Sequence, residues 1–168
     1  AWVWEHQALT RARFCAGDPA VGARFEEIRI EILRQPRDLA KLKEEVVAMR
    51  RKMLDAHALN SDSEFALKHD PGGIIDVEFI VQYLILAYAH EHARLTGNLG
   101  NIALLRMAAE LGLIDAGQAE AAGNAYREYR RLQHAKRLSS NPKTPIPREE
   151  VETHISAVRA LWEAVFSD

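Results

Sequence analysis

The stretch that most constrains this chain runs from Lys68 to Glu91, where a glycine pair, Gly72-Gly73, is followed by residues that are apolar nearly all round a helix. Ile74, Ile75, Val77, Phe79, Ile80, Val81, Leu84, Ile85 and Leu86 leave no polar face wide enough for water, so the segment has to be a central helix enclosed by others. It does not suit a bilayer. Its longest apolar run, residues 79–89, is interrupted by Gln82 and is about half of the ~20 residues that spanning requires.

The flanking sequence supplies the enclosing helices. Residues 1–15 carry Trp2, Leu9 and Phe14 in a loose amphipathic pattern that Gly17 ends. Asp18-Pro19 reads as a cap and first-turn proline for a second helix, with Val21, Phe25, Ile28 and Ile32 at helical spacing up to Pro36. Asp38 caps a third, striped by Leu39, Leu42, Val46, Met49 and Met53, and the polar stretch 60–64 breaks it. Beyond the apolar helix, Asn98 is expected to cap a helix through Leu104, Leu105 and Ala108 that Gly112 ends. Asp115 with Gln118 marks the start of a long helix reaching about Leu138. Residues 139–147, with three prolines, read as a loop, and Val151, Ile155, Val158, Trp162 and Val165 stripe a last helix. No alternating strand pattern of useful length and no internal repeat is present. The expected fold is all-α, a single helical bundle of about seven helices forming one domain over residues 1–168.

Charge and cysteine content narrow the function classes. A net charge of -2 and a pI near 6.4 give no basic field, so no nucleic acid partner is expected. The basic run 127–137, with Tyr126 and Tyr129 interleaved, reads as a solvated helix face. One cysteine, Cys15, excludes an internal disulfide and fits a reducing cytoplasm. The histidines do not combine with acids at a zinc spacing, and no membrane segment or metal site is expected. The chain opens on Ala1 inside an apparent helix, without an initiator Met or a capping residue, and so reads as a piece of a longer protein.

The chemistry concentrates in residues 68–79, KHDPGGIIDVEF. Two glycines at a helix start leave backbone N–H groups uncovered, and with the positive end of the helix dipole they suit an anion such as phosphate. Lys68 and His69 stand just before them. Asp76 and Glu78, two positions apart, point about 200° apart around the axis, which disfavours their sharing one metal ion. Ile74, Ile75, Val81 and Gln82 surround Glu78 at helical spacing, so its carboxylate is expected in an apolar layer and in need of a basic partner, with Arg11, Arg13, Arg50 and Arg51 as candidates. Asp76 is expected as a first-turn acid stabilised by the dipole. The bland alternative is that Gly-Gly is a tight turn and the carboxylates only fix helix register.

Gly72-Gly73-Ile74, then Asp76, then Glu78-Phe79 resembles the G-G-I-x-D-[IV]-E-F signature of the helical domain that accompanies the nucleotidyltransferase domain in glutamine synthetase adenylyltransferases. The resemblance extends to Trp2, Trp4-Glu5-His6-Gln7-Ala8-Leu9, Arg11-Ala12-Arg13, Glu45-Val46, Met49-Arg50, Lys52-Met53, Gln82-Tyr83-Leu84 and the run from Asn101-Ile102 to Leu105. The tryptophans and Asp76 are similar to the half of those proteins that attaches AMP, as opposed to the half that removes it. The resemblance implies a parent that moves AMP from ATP, with Mg2+, to a tyrosine of glutamine synthetase under control of the PII signalling protein and glutamine. In the family the metal is held by a G-S-x-x-D-x-D motif, absent from these 168 residues. No catalytic residue and no bound cofactor is therefore expected here, and a nucleotidyltransferase domain is expected to precede this one. Lys68, Gly72 and Gly73 become candidates for nucleotide phosphate contacts, and Asp76, Glu78 and Arg50 for ordering the domain interface. The rival readings are a non-catalytic module that binds PII or glutamine synthetase, and the helical domain of a PII uridylyltransferase.

Overall fold

The computed structural model describes residues 3–57, 63–138 and 146–167. Those residues form seven α-helices: α1 (Val3–Leu9), α2 (Pro19–Leu33), α3 (Leu39–His57), α4 (Ile74–Tyr88), α5 (Asn101–Glu110), α6 (Ala116–Arg137) and α7 (Glu152–Phe166). Single 3-10 turns lie at Ala93–Thr96 and Arg148–Glu150. The all-α bundle expected from the sequence is what the chain forms.

Helix α4 is its axis. Twelve of its 15 residues are buried, because α1, α3, α5, α6 and α7 all pack on it. The longest packed surfaces outside it join α6 to α7 and α5 to α6. Aspartate caps set the starts of α2, α3 and α6 where the sequence placed them. Asp18 Oδ1 accepts from Ala20 N at 2.8 Å, Asp38 Oδ1 from Lys41 N at 3.1 Å, and Asp115 Oδ1 from Gln118 N at 2.9 Å.

Four expectations need correction. The helical part of the first segment stops at Leu9, and residues 12–15 are irregular. Helix α2 buries Gly22, Arg29 and Leu33, leaving Val21 and Ile28 exposed: the Phe14 ring covers Gly22, and Glu26 and Thr96 O hold Arg29 inward. Gly100, not Asn98, caps α5; the Asn98 amide instead donates to Ala12 O at 3.3 Å. A short antiparallel pair, β1 (Glu64–Phe65) and β2 (Ile146–Pro147), closes one edge where only loop was expected. The breaker at 60–62 and most of the proline loop, 139–145, lie outside the described residues.

Buried charge holds the bundle at two points. Arg29, 1% exposed, is gripped by both oxygens of Glu26 and donates to Thr96 O at 2.6 Å, fastening α2 to the turn after α4. Arg50, 2% exposed, fastens α3 to the entry of α4.

Candidate functional site

The entry to α4 is a folded loop whose backbone is tied to its own polar groups. The Asp70 carboxylate accepts from Ala66 N at 2.7 Å, and His69 N and Asp70 N both donate back to Ala66 O at 3.1 Å. Gly72 sits at φ +90°, where a side chain is strained, and a Cβ there would meet Ile155 Cγ2 and Ile155 O at 2.9 Å. A Cβ on Gly73 would stand 2.6 Å from Leu67 O. Both glycines are thus required by close backbone approach.

The amides of this turn are not open. Gly72 N donates to Asp76 Oδ2 at 2.6 Å, Gly73 N to Asp70 O at 2.9 Å, Ile74 N to Leu67 O at 2.8 Å and Ile75 N to Lys68 O at 3.2 Å. The uncovered N–H groups expected for a phosphate are each satisfied from within the chain, and Gly72 and Gly73 are buried. That part of the sequence reading is corrected: a carboxylate of the helix itself, Asp76, occupies the anion position at Gly72. Lys68 is exposed.

Asp76, in the first turn of α4, is buried, 5% exposed. Its Oδ1 accepts from Arg50 Nε, and Arg50 Nη2 continues to His69 O at 2.8 Å. Burial pushes the Asp76 carboxyl above its ordinary value, with Arg50 and the Gly72 N–H pulling the other way. Tyr129 completes the brace: its hydroxyl donates to Gly72 O at 2.9 Å, and burial raises the phenol far above its usual range. One guanidinium, one carboxylate and one phenol therefore lock the same turn from α3, α4 and α6.

Glu78 occupies the opposite side of α4. The expectation of a sealed charge is corrected, for its side chain is 27% exposed. Among the four arginine candidates its neighbour is Arg11, at 3.9 Å, while Arg50 belongs to Asp76. Tyr126 OH donates to Glu78 Oε1 at 3.3 Å, and Arg11 Nη1 donates to Asn101 Oδ1 at 3.1 Å. One turn along, Gln7 Nε2 donates to Gln82 Oε1 at 3.0 Å. Gln7 and Arg11 thus face Gln82 and Glu78 as a polar seam beside α1. Asp76 and Glu78 diverge as their spacing predicts, and among the described residues no three His, Cys, Asp or Glu side chains stand together as metal ligands.

Sequence reasoning missed Tyr129, Gln7, Gln82 and Asn101. Tyr129 had a signal, since it continues the small-residue stripe Ala119, Ala122, Ala125 at helical spacing. Its basic neighbours hid it. The two amides and Asn101 stood within the stretches of resemblance, but a polar residue on a helix does not reveal which neighbour covers it, so their pairing could not be read.

An apolar axial helix entered through a glycine turn and locked by buried Arg, Asp and Tyr defines a helical bundle with an internally braced turn. The family model described as GlnD PII-uridylyltransferase matches residues 40–145, and the chain belongs to that family. It is 61% identical over 166 residues to a bifunctional glutamine synthetase adenylyltransferase/adenylyl-removing enzyme of Aromatoleum aromaticum, covering 99% of this chain and 18% of that protein. The proteins of the same description from Nitrosomonas europaea and Chromobacterium violaceum are 56% and 57% identical, over 99% of this chain and 19% and 18% of their own lengths. The chain thus spans less than a fifth of the relatives it matches. No helix among the described residues is long and apolar enough to cross a membrane.

Proposed function

We propose that this chain is the helical domain of the adenylylating half of an enzyme that transfers AMP from ATP to a tyrosine of glutamine synthetase, and that it works in the cytoplasm. The observation that carries the reading is 61% identity across almost the whole chain to a bifunctional glutamine synthetase adenylyltransferase/adenylyl-removing enzyme; the choice of half rests on the resemblance at Trp2, Trp4 and Asp76. The domain braces a nucleotidyltransferase site carried elsewhere in the polypeptide, and the carboxylates that hold Mg2+ and the triphosphate belong to that site. Its own part is positional. The Arg50, Asp76 and Tyr129 brace fixes the loop of residues 66–73, which carries exposed Lys68 at its surface. Lys68 is the one residue of the proposed phosphate set whose polar group is not a buried, committed amide. Control by PII belongs to the same reading.

The test is AMP incorporation into glutamine synthetase by the full-length parent, with Lys68→Ala as the probe. The expected result is a rise in KM for ATP of about tenfold, the scale of one charge-assisted phosphate contact, with unchanged thermal unfolding. An unchanged KM removes the phosphate role of Lys68, and no transfer of AMP by the unaltered parent removes the function.

A second reading is favoured by the description of the family model over residues 40–145. In it the parent uridylylates PII. Offering the parent labelled ATP with glutamine synthetase and labelled UTP with PII separates the two, because each predicts label from only one nucleotide.

A further inference from the structure

Helix α6 outruns the helix packed along it. Ile102, near the start of α5, lies 3.6 Å from where a Cβ on Gly123 would stand, and α5 runs from there toward the start of α6. The same side of α6 continues to Arg137 without α5 over it. Where α5 does cover it, a groove of about 400 Å3 is lined by the apolar Ile102, Ala109 and Ala119, with Arg106 and Arg127 beside them. Where it does not, Arg127, Arg130, His134 and Arg137 follow at steps of three and four residues and form one exposed basic stripe. Its charges are not neutralised. Arg127 Nη1 donates to Asn124 Oδ1 at 2.6 Å and Arg130 Nη1 to Gln133 Oε1 at 3.0 Å, both neutral amides, while Arg106 and Arg137 have no carboxylate partner among the described residues. Cations already engaged are outside this count: Arg131 donates to both oxygens of Glu128, and Lys136 stands on the far side of the helix with Glu150 and Glu64. Against the four guanidiniums the groove sets one unpaired carboxylate, Glu120, because Glu110 already pairs with Arg94 at 3.5 Å.

We propose that this stripe and groove bind an extended, acidic segment of a partner protein, with carboxylates over Arg127, Arg130 and Arg137 and an apolar side chain in the groove. Charge decides the partner's sign. From Arg127 to Arg137 the helix rises about 15 Å, the reach of about five residues of extended chain. Leu138, 91% exposed at the far end, offers a second apolar contact. Nucleic acid is the poorer occupant, because unpaired bases are held on exposed aromatic faces and both tyrosines of this stretch turn inward, Tyr126 to Glu78 and Tyr129 to Gly72 O. Glu120 in the groove also repels a phosphate backbone. The surface is separate from the brace at α4, and the proposal holds whichever nucleotide the parent uses.

The probe is a fluorescein-labelled peptide of glutamates flanked by leucines, titrated with the full-length parent and followed by fluorescence anisotropy. A glutamine peptide of the same length and a single-stranded RNA of equal charge serve as comparisons. The glutamate peptide is expected to bind more tightly than either, and raising salt from about 50 mM to about 500 mM should weaken it. Arg130→Glu with Arg137→Glu should weaken it about tenfold or more, whereas Arg51→Glu with Lys52→Glu, an equal reversal at exposed positions of α3, should leave it within about twofold. Circular dichroism and thermal unfolding should stay unchanged in both. Should the first pair lower the unfolding temperature, Arg130→Gln with Arg137→Gln carries the same comparison. The proposal is overturned if the glutamate peptide does not bind, if the RNA binds more tightly, or if the two reversals weaken binding equally.

Discussion

Asp76 and Arg50 form a buried pair that exists to hold a turn, and the cost of taking two charges out of water is offset only while both are present. Removing one leaves the other stranded. Asp76→Ala should therefore destabilise the domain by about 3–5 kcal/mol, through the orphaned Arg50 and the lost acceptor for Gly72 N–H. Replacing both with apolar residues should recover much of that loss, and urea unfolding of the two variants checks the comparison. This pair also shows how far residue-level reading reaches. The sequence announces that two carboxylates on one helix diverge, because a two-residue step fixes their angle. Which of them is sealed depends on the helices that arrive from elsewhere: Arg50 of α3 and Tyr129 of α6 close over Asp76, while Arg11 covers Glu78 only partly. The same ignorance made the glycine amides look open, since nothing local says that Asp76 turns back to Gly72.

At the scale of elements, helix starts were legible because a cap is a local bond. Asp18, Asp38 and Asp115 each accept from an amide two or three residues on, and no distant packing is needed to place them. The face that a helix turns inward was less legible. In α2 the buried residue at the centre is Arg29, and a polar residue satisfied by Glu26 and Thr96 O breaks the apolar stripe on which the reading depended. The joint between the end of α3 and the loop before α4 carries a consequence for pH. His57 and His69 stack with centroids 4.3 Å apart, and His69 Nδ1 is buried without a partner among the described residues. Burial, then His57, Lys68 and Arg50, lower the His69 pKa below 6.5, with Asp70 opposing. A depressed histidine contributes stability that is complete above the unfolded value and is lost as pH falls through the folded one. The domain should therefore lose stability on acidification below about pH 6.5, and His69→Asn should flatten that slope. Urea midpoints measured from about pH 7.5 to about pH 5.5 test it, and equal slopes for both proteins would count against the joint.

Across the whole molecule, α4 is expected to make the bundle one cooperative body. Five other helices rest on it, and its turn is locked from α3, α6 and α7 by Arg50, Tyr129 and the close approach of Ile155 to Gly72. Because five helices rest on α4, a defect in the axis should reach each of them, including the closely packed pair α6 and α7. Ile80 and Leu86 are fully buried at the middle and end of that axis. Ile80→Ala should cost about 2–5 kcal/mol, the range for emptying a core position that rigid neighbours cannot refill. The two readouts that matter are far-UV circular dichroism, which follows all seven helices, and the fluorescence of Trp162, which packs on Phe166 at 4.3 Å in α7. Replacing Trp4, exposed in α1, with Phe isolates more of that signal. If α4 is the shared core, both curves shift by the same amount and remain superimposed; separation of the Trp162 transition from the helical one would mean that α6 and α7 fold as a unit independent of the axis.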